Sequence, residues 1–434
     1  MTENMETETR GTDGVETEAA ETADSEQKGR QERKKPALPG QNRFGRGFLA
    51  GMLTAAVLLV AITGGSSLLS KVFGGSFASD SVSVREVNNK LNDINALVEE
   101  YYLYDDEIDK DALIEGIYSG YVAALGDLYT EYYDAEETKA MMEDDSGEFS
   151  GIGASILRNA QTGKFTITEV YEGSPADKAG IQAGDVLYQV DGHLTDGESS
   201  DTVLFWTKGE TGTEVVIQVI RDGETMEFTV TRDVIEEHTV EYEMKDGQTG
   251  YIYVEKFADV TYEQFKTALE DLESQGMTGL VIDLRGNPGG NFNTVTDMLR
   301  LILPEGVIVS VKDKYGNTEE ETCDGENEFA KPLAVLVDGR SASASEIFSA
   351  AVQDYGIGTI VGQTTYGKGV VQQIIGMGDG TSLKVTIAEY YTPSGNSIIG
   401  TGVQPDVEVE YVYDENNPKA DNQLEAALEA VRAE

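Results

Sequence analysis

An uninterrupted run of 24 uncharged residues, Gly47 to Ser70, divides this 434-residue chain into parts that cannot share one environment. As helix the run measures about 36 Å at 1.5 Å per residue, more than the roughly 30 Å of a hydrocarbon core. Seven positive side chains lead into it (Lys28, Arg30, Arg33, Lys34, Lys35, Arg43 and Arg46), against Glu32 alone. A flank of that charge stays on the cytoplasmic side. Residues 47–70 are therefore expected to form a single transmembrane helix, a signal anchor. The chain is then a single-pass protein of the cell membrane, with its N-terminus cytoplasmic and everything after Lys71 extracytoplasmic. A cleaved signal peptide is the competing reading, because Ser76-Phe77-Ala78 offers a small-x-small processing site, but a leading segment of 46 residues is long for one. Residues 1–46 open Glu/Thr-rich and without apolar periodicity, and are expected to be a disordered cytoplasmic tail.

Acidic side chains number 79 against 32 basic ones, a net charge of −47. A field of that sign repels phosphate backbones, so nucleic acid is not an expected partner. The single cysteine, Cys323, cannot close an intramolecular disulfide, and two histidines, His193 and His238, cannot build a Cys/His metal site. No metal and no cofactor are expected. Both histidines read as ordinary surface residues.

The exported part falls into four pieces. Apolar residues at Val84, Val87, Leu91, Ile94, Leu97, Val98 and Tyr101 have the spacing of an amphipathic helix, and more helix is expected to about Met142, giving an N-terminal helical region over 82–146. Residues 147–235 change to short alternating runs, 164–170, 186–190, 214–221 and 225–231, the last two joined by Asp222-Gly223, and predict a mostly-β module. Residues 240–415 alternate strand-like and helix-like segments, the signature of an α/β layer with a largely parallel sheet. A last helix is expected over 420–434, where it packs on the body or pairs between subunits in a homodimer.

Three segments of the α/β part carry chemistry, each just after an expected strand, where open α/β sheets bind ligands. In Asp283-Leu284-Arg285-Gly286-Asn287-Pro288-Gly289-Gly290 the glycines let backbone N–H groups approach an anion closely. Asp338 to Ile347 opens a helix and offers three serines. Ser343 with Glu346 fits a capping box, worth about 1 kcal/mol as a plain cap. It is equally placed to attack a carbonyl whose oxyanion the Ala344 and Gly289 N–H groups would hold. Ser341 and Ser345 compete for that role, and spacing does not choose among them. The third segment, Gly362 to Gly369, nearly spells a phosphate-binding loop, yet Gly369 stands where a magnesium-holding Ser or Thr is required and a strand follows where a helix should. Lys368 there can instead accept a proton. Its ordinary pKa leaves only about one amine in 2,500 neutral at pH 7, and burial lowers a lysine by up to about 3 to 5 units. On a strand, Lys368 and Gln372 share a face, which would let the Gln372 amide orient the amine. Asp354 lies almost three turns beyond Ser343, about 16 Å along the axis, and is expected to pack or pair elsewhere.

Ser341-Ala-Ser-Ala-Ser-Glu-Ile347, Gly367-Lys368-Gly369 with Gln372, and the Asp283 to Gly290 segment together resemble the carboxyl-terminal processing proteases, also called tail-specific proteases. Thr392-Pro393-Ser394-Gly395 and Gly402-Val403-Gln404-Pro405-Asp406 extend the likeness, which spans roughly Val84 to Glu410. The resemblance implies a serine endopeptidase with Ser343 as nucleophile, Lys368 as general base, Gln372 supporting the base, and Gly289 and Ala344 as oxyanion hole. It also implies an α/β, crotonase-like protease core with an inserted PDZ domain. The module at 147–235 is similar to that PDZ domain, its carboxylate loop falling on Gly151, Ile152, Gly153 and Ala154. Glycine-loop N–H groups of this kind capture a C-terminal carboxylate while the peptide adds as a strand. Expected partners are thus a protein or peptide with an exposed C-terminus and, through one helix, the lipid bilayer. Two positions depart from the family's usual pattern: Lys208-Gly209 where relatives carry Arg-Gly, and Gly126-Asp127-Leu128-Tyr129 where they read Gly-Asp-Pro-Tyr. The rival reading is a non-catalytic PDZ scaffold that binds C-terminal tails outside the cell. An exported position suits regulated signalling cleavage, envelope quality control and processing of secreted proteins equally.

Overall fold

The computed structural model describes residues 82–417 and 419–433. The expected cytoplasmic tail, the span at 47–70 and the processing site at Ala78 lie outside the described residues. Among those described, no helix is long and apolar enough to cross a membrane. They form two units, one ending at Glu107 and one beginning at Ile108. In the first, helix α1 (Val84–Tyr101) has the predicted bounds and starts at Ser83, whose hydroxyl accepts the Glu86 N–H.

The second unit opens with α2 (Lys110–Ala123), β1 (Glu131–Tyr133) and α3 (Ala135–Ser146). The helix expected to run on to Met142 is therefore broken by a short strand. The interruption begins at Gly126, whose φ of 75° is open to glycine, and Asp134 then restarts a helix through a full capping box with Glu137.

The mostly-β module is entered by β2 (Glu148–Gly151) and left by β9 (Asp233–Glu236), which pair antiparallel from Glu148↔Glu236 to Gly151↔Asp233. That clasp is how an insertion leaves its host chain nearly where it left off. Between them lie β3 (Ala154–Arg158), β4 (Phe165–Val170), α4 (Pro175–Ala179), β5 (Val186–Val190), β6 (His193–Leu194), α5 (Ser200–Thr207), β7 (Glu214–Arg221) and β8 (Glu224–Thr231). The sheet order is β3-β4-β5-β7-β8, with β6 on β5, so β3 is an edge strand. Asp222 and Gly223 both take positive φ, 52° and 87°, as a two-residue hairpin turn of this chemistry requires. Ile167, Leu187, Val203, Ile217 and Val230 fill a core of the module's own.

The α/β part follows as β10 (Val240–Lys245), β11 (Thr249–Val254), α6 (Thr261–Ser274), β12 (Gly279–Asp283), α7 (Phe292–Leu299), β13 (Gly306–Asp313), β14 (Thr318–Cys323), β15 (Leu333–Val337), α8 (Ala344–Tyr355), β16 (Thr359–Gly362), β17 (Val370–Gly376), β18 (Ser382–Tyr391), β19 (Val407–Glu408) and α9 (Asn422–Ala433). One six-stranded sheet, β10-β11-β12-β15-β16-β19, is parallel except at the β10 edge. Its central strands, β12 and β15, are buried along their whole length, the continuous apolar runs expected of parallel strands covered on both faces. A second, antiparallel sheet joins β1, β18, β13 and β14, with β17 also on β18. Phe257, Phe265, Leu280, Val335 and Phe348 lie in the main core. Helix α9 covers the other face of the parallel sheet through Ala427 and Val431 against Val281, Ala334 and Leu336. The C-terminal helix thus packs on the body of its own chain, the first of the two expected placements.

Candidate active site

Three loops at the C-terminal ends of β12, β15 and β16 converge. The first two are bound to each other by the very side chains that competed for a chemical role. Ser341 Oγ donates to the Leu284 carbonyl (2.8 Å) and Ser345 Oγ to the Asn287 carbonyl (3.0 Å), and both serines are fully buried. Their hydroxyls are structural. Ser343 alone of the three lines the open cleft.

Ser343 begins α8 in an unusual conformation, φ 54° and ψ −112°. A non-glycine residue held there costs about 1 to 3 kcal/mol, and such strain persists only where its surroundings over-determine it. Here Glu346 Oε2 accepts the Ser343 N–H (2.8 Å), while the Ser343 carbonyl accepts N–H bonds from Glu346 and Ile347 and the Tyr390 hydroxyl (3.2 Å). Ser343 and Glu346 stand as the capping box their spacing predicts, and Ser343 also lines the cleft.

Glu346 proves to be more than a helix-start residue. Fully buried, it accepts from Thr365 Oγ1 (2.6 Å) and the Gly367 N–H (2.7 Å) on one oxygen, and from the Ser343 (2.8 Å) and Lys368 (2.9 Å) N–H groups on the other. One carboxylate therefore sets the serine and lysine loops side by side. Tyr390 adds a second tie, donating to the Lys368 carbonyl (2.5 Å) as well as to Ser343. Burial pushes its hydroxyl far above the ordinary range, so it stays a donor.

Lys368 lines the same cleft, of about 510 Å³, as do Gly289, Ala344 and Gln372. Its amine is pulled below the ordinary lysine value, first by burial and then by the like charge of Lys384; Glu346, Glu131 and Asp127 act in the opposite sense. Gln372 does not hold the amine in this arrangement. Strand β18 has one extra residue, Ile387, opposite the Val371–Gln372 step, which sets Thr386 across from Gln372, and the amide donates to Thr386 Oγ1 (3.4 Å).

Gly289 packs directly on the serine turn: with φ 105°, a Cβ there would stand 2.8 Å from Ser343 Cβ and 2.7 Å from the Ala342 carbonyl oxygen. Its N–H, however, is turned to Asn287 Oδ1 (2.8 Å). Of the two expected oxyanion donors, only the Ala344 N–H is without an acceptor among the described residues.

In the mostly-β module, Gly151 ends β2, Ile152 is buried, and Gly153 turns with φ 75° against Ser174, leading into Ala154 at the start of the edge strand β3. Lys208 reaches from the end of α5 to Glu143 of α3 (3.2 Å) and over the Phe149 ring (4.9 Å). His193 stacks on Trp206 and His238 on Tyr171. Asp354 accepts the Ser394 N–H (2.8 Å), anchoring a loop, and forms no ion pair among the described residues. Among the described residues no cluster of His, Cys, Asp and Glu is arranged for a metal.

The pattern of peptidase family S41 matches residues 248–409, and that of a PDZ domain residues 166–221. Carboxy-terminal processing protease CtpA of Bacillus subtilis (strain 168) is 34% identical over 368 residues, covering 84% of this chain and 77% of that protein. The carboxyl-terminal-processing protease of Synechocystis sp. is 36% identical over 317 residues, covering 71% of this chain and 74% of that one. The solved structure of a photosystem II D1 C-terminal processing protease is similar with a TM-score of 0.44 and 28% identity, over 76% of this chain and 94% of that one. Two joined patterns in one chain define a class, a serine peptidase bearing a PDZ domain. With relatives matched over most of both lengths, this chain belongs to the carboxyl-terminal processing proteases of peptidase family S41.

Proposed function

We propose that the chain is a membrane-anchored, extracytoplasmic endopeptidase that captures a protein's exposed C-terminus on its PDZ domain and cuts the chain with a Ser343/Lys368 dyad in a crotonase-like core. The observation that carries the dyad is the buried Glu346 carboxylate, which bonds the backbone of both residues and so presents them to one cleft. In this reading neutral Lys368 takes the Ser343 proton as Oγ attacks the scissile carbonyl. The Ala344 N–H meets the developing oxyanion, joined by Gly289 once its N–H turns from Asn287. The lysine's proton then leaves with the amine product, and water releases the acyl group by the same route. Gln372 supports the amine after exchanging Thr386 for Lys368. Ile347, Val371 and Ile374 give the cleft an apolar wall, suited to an apolar substrate side chain. The 151–154 loop and the open edge of β3 take the tail, its carboxylate on loop N–H groups. The anchor at 47–70 places this chemistry outside the cytoplasm.

The test uses two forms of one unfolded protein, one with a free apolar C-terminus and one amidated there, followed by mass spectrometry of fragments. Cleavage of the free form, with KM raised for the amidated form, is expected. Equal KM for both would remove tail capture from the account, and binding without any cleavage would favour the PDZ scaffold.

A further inference from the structure

The dyad leaves unexplained what holds the amine of Lys368 while it still carries its proton. Among the described residues Lys368 forms no ion pair. Its Nζ instead stands 5.0 Å from the centroid of the Tyr129 ring, which comes from the turn before β1, on the far side of the PDZ insertion in sequence. That turn is fixed: Asp127 accepts the Tyr129 N–H (3.2 Å) and Thr130 Oγ1 (2.5 Å), and Thr130 Oγ1 accepts the Thr386 N–H (3.1 Å). Thr386 is also the partner of Gln372. Ring, supporting glutamine and lysine loop are thereby referred to one strand, β18.

We propose that Tyr129 is a positioning residue for the general base, its ring face holding Lys368 while the amine is protonated and releasing it once the proton has gone. The inference rests on Lys368 being that base. Ring quadrupoles attract an ammonium and have no such hold on a neutral amine, so the rest position is selected by charge alone. The other groups around the amine do not supply this. Lys384 of β18 repels it, whereas Glu346 of α8, Glu131 of β1 and Asp127 of the turn attract it only through space. Tyr366, from the lysine's own loop, acts on the Tyr129 hydroxyl, and Tyr390 binds the Lys368 carbonyl, not the amine. Holding the charged form, the ring opposes the lowering by burial, so its removal should make Lys368 easier to deprotonate.

The experiment is the pH profile of kcat/KM for the full-length chain and for Tyr129→Leu and Tyr129→Phe, on an unfolded protein substrate. Leucine keeps an apolar wall and removes the ring face; phenylalanine keeps the face and removes the hydroxyl. The acid limb of the leucine variant should move about 0.4 to 1.5 pH units lower, while the phenylalanine variant overlays the parent. The same titration is followed without turnover by NMR of 13C-labelled lysine, the Lys368 signal being the one lost in Lys368→Arg. An unmoved Lys368 titration in the leucine variant overturns the proposal, as does an equal shift in both variants, which would assign the effect to the hydroxyl. Cleavage at the parental rate by Lys368→Ala is a separate failure. It removes the base itself, and Tyr129's role with it, whatever the NMR shows.

Discussion

Ser343, the proposed nucleophile, sits on a strained turn built without the Gly-x-Ser-x-Gly sequence that usually marks one. In that motif nearby glycines make room for a strained serine. Here the room comes from Gly289, on another loop, whose missing Cβ lies against Ser343 Cβ. Spacing within Ser341 to Ser345 therefore did not show which serine faces the cleft, because that depends on two carbonyls, at Leu284 and Asn287, that claim the outer hydroxyls. Glu346 was legible only as a capping partner, since three of its four donors lie beyond its own turn or loop and come together only on folding. Replacing it by alanine would orphan four donors at about 1 to 3 kcal/mol each where they stay buried. Glu346→Gln keeps the volume but turns an NH2 toward at least one N–H group in either amide orientation. We expect it to lower kcat by about 100-fold or more through misplacement of serine and lysine, with tail binding by the PDZ domain unchanged. Parental kcat in that variant would show that the two loops hold their places without the carboxylate.

Elements whose own residues carry a clear period were read almost residue for residue: β5, β7 and α1 have the predicted bounds. Those whose partners are distant were not. Strand β18 alternates Leu383, Val385 and Ile387 as a strand does, but it pairs with β1, β13 and β17, segments more than 200 residues apart at the extremes, and nothing local announces those partners. Strand β14, Thr-Glu-Glu-Glu-Thr-Cys, has too little strand preference to be found without its neighbour. Helix α9 belongs to the same lesson, since it is tied to the end of β12 by Arg285, which bonds Asp421, Gln423 and Asp283 together. Burial acts to raise the Asp421 carboxyl, but hydrogen bonds from Arg285 and from the Leu424 and Gln423 N–H groups outweigh it, leaving the group below the ordinary range. A depressed carboxylate contributes stability above its unfolded pKa of about 3.9, and that contribution is lost as pH falls through the lower folded value. Asp421→Asn should therefore reduce stability by about 1 to 2 kcal/mol at neutral pH. In urea melts the gap from the parent should close below about pH 4, and an equal gap at every pH would contradict the ion-pair account.

At the scale of the whole molecule, sequence order and spatial order disagree in an informative way. The turn carrying Tyr129 precedes the PDZ domain, and the lysine it faces lies well over 200 residues later, yet β1 adds to β18 and brings both to one cleft. The PDZ domain is an insertion clasped by β2 and β9, with Lys208 reaching Glu143 of α3, a helix whose Met141 and Asp144 line the cleft that holds Ser343 and Lys368. Helix α3 thus touches both the PDZ domain and the cleft, a link that suits the proposed capture of a tail beside the site that cuts it. All of it depends on Ser343 acting as nucleophile with Lys368 as its base. The direct measurement incubates the full-length chain, Ser343→Ala and Lys368→Ala separately with an unfolded protein ending in an apolar C-terminus, and follows fragments by mass spectrometry. The account predicts fragments from the parent and none from either variant, while both variants still bind the tail. Fragments from Ser343→Ala at the parental rate would contradict it.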